Sequence, residues 1–322
     1  MKILIVCSYR NFIPDGINKF IKEQGEAAAK CLRELDNETS VVEYYLVRGK
    51  GIVGYLREIP KLRKKIREYR PDIIHAHYGL CGLLANMTTR RIPVVTTYHG
   101  SDINVAKSRK YSLWTMRLSA WNIYVSKKTM DLAGAVEGKK CSLIPCGVDL
   151  TNDQLQSREE SRNALGWNND AKKVLFAGMY MDDVKGPKLA KAAIEDLRSK
   201  IEDIELIELR GYTREEVNRL MCAVDCILMA SKTEGSPQVI KEAMACGCPI
   251  VSTDVGDVAE RVKGIDGCYI VYSRDAKEMA EAVEKAFAFK GKTKGREKII
   301  NDGLDNSEIV RRLLKIYERV KR

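Results

Sequence analysis

The chain has 322 residues, 45% of them hydrophobic and 31% charged, which is enough to bury two cores and favours two domains over one. There is no run of 18 apolar residues, and M-K-I-L-I-V-C-S-Y-R at the start reads as a first strand rather than a signal peptide, so the expected location is cytoplasmic. The net charge of +11 lies entirely in the first half, since residues 1–150 hold 25 Lys and Arg against 14 Asp and Glu, while 151–322 hold 30 of each.

In chain order, short β-rich runs alternate with helical patterns, the mark of an α/β protein with parallel sheets. Strands are expected at 3–7, 41–47, 72–77, 94–98, 122–126 and 141–145, with a first helix opening at Gly16. Residues 55–70, Y-L-R-E-I-P-K-L-R-K-K-I-R-E-Y-R, place Leu62, Ile66 and Tyr69 at helical spacing among seven basic residues. Such a helix suits an anionic membrane surface or an acidic acceptor; the plainer reading is a solvated face. Nucleic acid is not an expected partner, because no zinc-finger, RNA-recognition or basic-zipper pattern accompanies the charge.

A polar stretch at 150–171 reads as a linker, after which strands resume at 173–178, 205–210, 226–231, 249–253 and 268–271. The expected domains are therefore 1–150 and 151–304, with a last helix at about 305–321 crossing back onto the first. Each set would form its own doubly wound sheet, and ligands of such sheets lie beyond the carboxyl ends of the strands. Gly16, His99, Lys185 and Glu234 all follow such ends, and two facing domains would bring them to one cleft.

Several chemistries are excluded by pattern. G-x-G-x-x-G is absent, and G-A-V-E-G-K-K at 134–140 fails the P-loop spacing. The ten cysteines show no disulfide framework, and Cys222/Cys226 and Cys246/Cys248 lack the spacing of zinc sites, so neither metal nor cofactor is expected.

The most informative stretch is 234–242, E-G-S-P-Q-V-I-K-E. Ser236 is suited to an N-cap and Pro237 to a first helical residue, leaving the N–H groups of Gln238 and Val239 and the positive end of the helix dipole to face a diphosphate. Glu242 lies one turn on, over Gln238, and Glu234 precedes the cap. Carboxylates so placed can accept hydrogen bonds from ribose and sugar hydroxyls.

This stretch continues into A-M-A-C-G-C-P-I-V-S-T-D-V-G-D, and residues 209–262 closely resemble the retaining glycosyltransferases of family 4, with their two glutamates separated by seven residues. Three upstream matches occur in the family's order: V-V-T-T-Y-H-G-S-D at 94–102, I-P-C-G-V-D at 144–149 and V-L-F-A-G-M-Y-M-D-D-V-K-G at 174–186. Three positions depart from the pattern. Cys146 replaces an asparagine, Met179 an arginine, and Asp15-Gly16-Ile17 a Gly-Gly pair.

The resemblance implies the GT-B architecture of two Rossmann-like domains facing a central cleft, with an N-terminal acceptor side and a C-terminal donor side. It implies that Lys185 meets the leaving diphosphate, that His99 and Glu234 lie by the transferred sugar, and that Glu242 holds the ribose. Arg210, Gly211 and Tyr212 match the base-binding loop, Asp102 is a further candidate, and Gly16 would let backbone N–H groups approach phosphate or acceptor. The expected protein is a metal-independent retaining glycosyltransferase, moving a hexose or related sugar from a nucleotide donor, UDP-linked on this reading, to a hydroxyl of a lipid-linked or polysaccharide acceptor. The alternative is a catalytically weak sugar-nucleotide-binding module whose basic half docks on a membrane or partner.

Overall fold

In the computed structural model the chain divides into two units: Met1–Gly147 with the segment from Asn306 onward, and Val148–Asp305. The structure describes all residues except 12, 36–40, 152–154, 168–170 and 322. The first unit holds a parallel sheet of β1 (Lys2–Ser8), β2 (Val41–Val47), β3 (Ile73–His77), β4 (Val94–Tyr98), β5 (Trp121–Tyr124) and β6 (Cys141–Leu143), in the order β2-β1-β3-β4-β5-β6. The second holds β7 (Lys172–Phe176), β8 (Ile204–Glu208), β9 (Cys226–Met229), β10 (Ile250–Thr253) and β11 (Cys268–Val271), in the order β11-β10-β9-β7-β8. All eleven expected strands are present, their ends shifted by no more than two residues. Both sheets are doubly wound, as expected.

Their composition explains why they are found so readily. Helices cover both faces of a parallel sheet, so its strands are continuous apolar runs. Ile3, Leu4, Ile5, Val6 and Cys7 of β1 are all buried, as are Ile227, Leu228 and Met229 of β9. Strand order reverses between β1 and β3 in one sheet and between β7 and β9 in the other, and these reversals open the crevices where doubly wound sheets take ligands.

Three expectations about helices are corrected. The first helix begins at Lys19, three residues after Gly16, because the Asp15 side chain accepts the Ile17 N–H and holds the chain in a turn. Residues 55–70 form no single helix: Gly51–Arg57 and Ile59–Tyr69 meet at Glu58, which serves as C-cap of one and N-cap of the other. Leu62, Ile66 and Tyr69 are buried in the first unit's core, so that helix has already used its apolar face. The stretch 150–171, expected as linker, carries the helix Arg158–Ala164 under a Ser157/Glu160 capping box, and parts of it lie outside the described residues. Arg158 and Arg162 of this helix bind the buried Asp225 carboxylate at 3.3 and 2.8 Å.

The C-terminal helix Asn306–Lys321 packs within the first unit. The Arg312 guanidinium donates to the Leu143 carbonyl at 2.7 Å, and Arg319 lies 4.4 Å over the Trp121 ring. The Tyr317 hydroxyl meets His75 Nδ1 of β3 at 2.6 Å in a fully buried contact. Tyr317→Phe leaves that nitrogen without a partner and should cost about 1–3 kcal/mol. Urea denaturation at pH 7 checks this, and an unchanged midpoint would show that the bond contributes nothing.

Candidate functional site

At the β7/β9 reversal the second unit brings Lys185 and Glu234 together. Lys185 ends a 3-10 turn, Asp183–Lys185, in which the Asp182 carboxylate accepts the Val184 N–H. Two glycines shape its surroundings. Gly178 leaves room for the lysine stem, since a Cβ there would fall 2.7 Å from Lys185 Cβ and Cγ. Gly186 adopts a left-handed conformation (φ +71°), and a Cβ there would come within 2.1 Å of the Ala230 carbonyl at the end of β9. The Lys232 N–H closes the junction by donating to the Val184 carbonyl at 2.8 Å.

Lys185 Nζ thus lies 2.7 Å from Glu234 Oε1, which also accepts the Ser231 hydroxyl at 2.9 Å. The two side chains, 30% and 16% exposed, keep one side toward solvent. Arg274 braces the loop beneath them by donating to the Ala230 and Ser231 carbonyls at 3.1 and 3.0 Å. Its guanidinium is committed there. Met179 takes the position of the family's arginine and carries no charge.

The helix Gln238–Ala245 begins on the same edge. Its cap is Pro237 (φ −67°, ψ 120°) and not Ser236, and Gln238 is the first helical residue. The Ser236 hydroxyl donates to Asp257 Oδ2 at 2.9 Å, a charge-assisted bond that holds the side chain away from the helix N–H groups a cap would accept. Gly256 (φ +56°) lets that turn approach, as a Cβ there would meet the Gly235 carbonyl at 2.5 Å. Gln238 and Val239 occupy the first turn, where N–H groups have no intrahelical acceptor.

Glu242, 7% exposed, lies beneath and is met by Arg214 at 2.8 Å. Arg214 opens the helix Arg214–Ala223, just after the exposed Arg210 and Gly211 at the end of β8, so this ion pair ties the β8 loop to the Gln238 helix. Sequence reasoning missed Arg214. A signal existed, since a cation in the first turn opposes the helix dipole and implies a carboxylate elsewhere.

In the first unit His99 is half-buried, tilted against the Phe20 and Tyr78 rings and stacked on His77. Its Nε2 lies 3.0 Å from His77 Nδ1 and its Nδ1 lies 3.7 Å from Cys146 Sγ. His77 Nε2 is buried with no hydrogen-bond partner, so a hydrogen there would be stranded. The hydrogen-bond pattern therefore assigns the His77 hydrogen to Nδ1, donated to His99 Nε2, and puts the His99 hydrogen on Nδ1, facing Cys146. The expectation placed the His99 ring at the cleft mouth, and in the structure that ring is half-buried. Both of its nitrogens are engaged within the unit.

Asp102 organises the same corner. Its carboxylate accepts backbone N–H groups from Gly79, His99 and Gly100, each at 3.0 Å, and complete burial still pushes its pKa up to about 6. At Gly16 (φ +75°) the N–H is occupied by the Ile13 carbonyl at 2.9 Å. The glycine is required because a Cβ would strike the Tyr9 ring at 2.1 Å. The expectation was that Gly16 lets backbone N–H groups of this loop approach phosphate or acceptor; its own N–H is closed within the turn.

Two family models match the chain: Glycosyltransferase Family 4 over residues 23–152 and Glycosyl transferases group 1 over residues 168–288. A Bacillus subtilis protein named as a teichuronic acid biosynthesis glycosyltransferase is 27% identical over 245 residues, 69% of this chain and 62% of that protein's length. The phosphatidyl-myo-inositol mannosyltransferase of Mycolicibacterium smegmatis is 24% identical, covering 88% of this chain and 84% of its own. Among solved structures, Anabaena HepE in complex with UDP and glucose aligns with a TM-score of 0.72 at 17% identity, over 98% of this chain and 99% of that one.

The buried histidines carry a pH signature. Burial holds His75 down to about 3 and His77 well below its ordinary value, while both titrate near 6.5 once unfolded. As pH falls below 6.5 the unfolded chain gains protons that the fold refuses, so stability drops by about 1.4 kcal/mol per pH unit for each histidine. Asp102 acts oppositely: its folded form takes its proton first, which adds stability as pH falls from about 6 toward 3.8. Between pH 6 and 5, His75→Gln should flatten the acid slope of unfolding free energy by about one proton relative to wild type. Parallel slopes would mean that His75 is charged in the fold.

Proposed function

The chain belongs to glycosyltransferase family 4, and on that footing we propose that it transfers a sugar with retention from a UDP-linked donor to a hydroxyl of a lipid-linked or polysaccharide acceptor. The observation that carries this reading is the Lys185–Glu234 pair at the β7/β9 reversal, beside the helix that starts at Gln238. A diphosphate at this edge would take N–H donors from Gln238 and Val239, with Lys185 at the leaving oxygen. Glu234 would accept sugar hydroxyls, Glu242 ribose hydroxyls, and the Arg210-Gly211 loop would meet the base. Support for the donor comes from HepE, which shares the fold and holds UDP and glucose. Support for the acceptor classes comes from the relatives' names, one a polysaccharide pathway and the other a phosphatidyl lipid. The positive excess of the first half suits an anionic acceptor or surface.

In the proposed step the acceptor oxygen attacks the anomeric carbon on the face from which the diphosphate departs. The bond from that carbon to the phosphate oxygen breaks, the new glycosidic bond forms, and the acceptor proton passes to the leaving diphosphate. Negative charge grows on the leaving oxygen, and a lysine already fixed there acts most strongly in the transition state.

Lys185→Ala should accordingly lower kcat by about 10²–10³-fold while changing donor affinity far less. Steady-state transfer assays with a calorimetric donor titration check this, and unchanged turnover removes Lys185 from the chemistry. Glu242→Gln should weaken UDP binding by about 1.5–3 kcal/mol and leave binding of 2′,3′-dideoxy-UDP equal to wild type. Equal losses for both nucleotides would show that Glu242 acts through Arg214 and the β8 loop, not on the ribose. Saturable UDP binding without transfer to any hydroxyl acceptor would favour the binding-module alternative.

A further inference from the structure

The positive charge of the first unit pointed to an anionic surface through the 55–70 segment, yet the helix Ile59–Tyr69 has buried its apolar side in the core. It can attract a membrane but has nothing left to insert. A different face of the same unit supplies what it lacks.

The helices Gly51–Arg57, Gly79–Thr88 and Ala106–Leu118 enclose an open groove of about 410 Å³, lined by Ile52, Leu56, Leu83, Met87, Trp114 and Leu118. Four of these are large and exposed: Leu56 at 38%, Met87 at 48%, Trp114 at 60% and Leu118 at 54%. Contiguous apolar exposure of this kind marks an interaction surface. The sequences of the three helices contain five Lys and Arg and no Asp or Glu. Arg117 reaches the groove itself, Lys107 and Lys110 lie along the same exposed side of the last helix, and Arg90 and Arg91 follow the second.

We propose that this groove is where the protein docks on an anionic lipid bilayer, with Trp114, Leu118 and Met87 entering the headgroup–acyl boundary. The charge decides the occupant. A rim of one sign around an apolar centre matches a surface that is negative at its headgroups and apolar just beneath, and tryptophan between basic residues is suited to that boundary. A protein partner would need an apolar knob ringed by carboxylates alone, whereas bilayers of acidic lipid offer both layers everywhere. The helix Ile59–Tyr69 then acts at longer range, drawing the first unit toward the surface before contact. This deepens the proposed sugar transfer, on which it rests for its purpose, by naming the surface where a lipid-linked acceptor would be met.

The test is co-sedimentation of the full chain with phosphatidylglycerol–phosphatidylcholine vesicles and with pure phosphatidylcholine vesicles. Wild type should sediment with the first and not the second. Trp114→Ala combined with Leu118→Ser should reduce binding to the acidic vesicles by at least about tenfold. Both positions are solvent-exposed, so the thermal melting point and UDP affinity of the double variant should match wild type. Lys110→Gln with Arg117→Gln should weaken binding in low salt and lose its effect as salt rises. Equal vesicle binding by wild type and the Trp114/Leu118 variant would overturn the proposal, as would no binding by wild type at low salt. So would concentration-dependent self-association abolished by that variant without vesicle binding, since the groove would then be an interface between copies. UDP binding measured without vesicles separates the two readings: its failure removes the sugar-transfer proposal and leaves the docking result standing.

Discussion

The candidate donor site depends on one contact, the 2.7 Å pairing of Lys185 with Glu234 across the strand reversal. A lysine side chain carries about 2 kcal/mol of rotamer freedom, which must be lost before its charge can act at a fixed point. Here the loss has already occurred in folding. Gly178 leaves the space along which the stem runs, Gly186 turns the chain where no other residue fits against Ala230, and Arg274 and Ser231 hold the glutamate's loop from below. The same pairing also neutralises the charge, so on the proposed donor reading an arriving diphosphate would meet a lysine whose position is set by a partner it can displace or share. Preorganisation of this kind matters because groups already in place need no rearrangement when charge moves.

Much of the fold was legible because central strands such as β1 and β9 are buried on both faces and read as nearly unbroken apolar runs, a pattern that does not depend on distant partners. Helix boundaries were harder. Ser236 looks like a cap until Asp257 is known to stand 2.9 Å away, and nothing local announces a carboxylate twenty-one residues on. Gly16 was read for its freedom of approach to a ligand, whereas its neighbour is the Tyr9 ring. The glutamates and Lys185 were legible through motif order, but their mutual contact and the Arg214 clamp on Glu242 are products of tertiary placement. Spacing could name the participants without saying which of them were already paired.

The first unit shows the opposite balance, a polar cluster that burial makes costly. Three backbone N–H groups converge on Asp102 and still do not compensate for its removal from water, so its proton is held to about pH 6. His75 and His77 share one face of β3 and are kept neutral, one between Thr97 and Tyr317, the other with a bare Nε2. A strand written with leucine at those positions would avoid these costs. What the polar residues add is orientation: His77 sets the hydrogen position on His99, Asp102 fixes the backbone at His99 and Gly100, and Cys146 closes the other ring nitrogen where the family has an asparagine. A sulfur at 3.7 Å is a weaker partner than an amide, so the ring is held less firmly on that side.

Charge in this chain is divided by range. The second half balances its charges, and several of them form specific contacts with named partners, among them Arg214 with Glu242 and Arg162 with Asp225. The first half carries the whole excess, much of it on exposed helix faces where screening limits reach to about 8 Å at physiological salt. Charge at such distances steers approach and does not fix position. Position requires short-range contact, and on this unit the exposed apolar residues needed for it gather on helices that carry no carboxylate. On the docking proposal, a basic helix with its apolar side buried and a basic face with its apolar side open would serve successive stages of one encounter, the first governing arrival and the second residence.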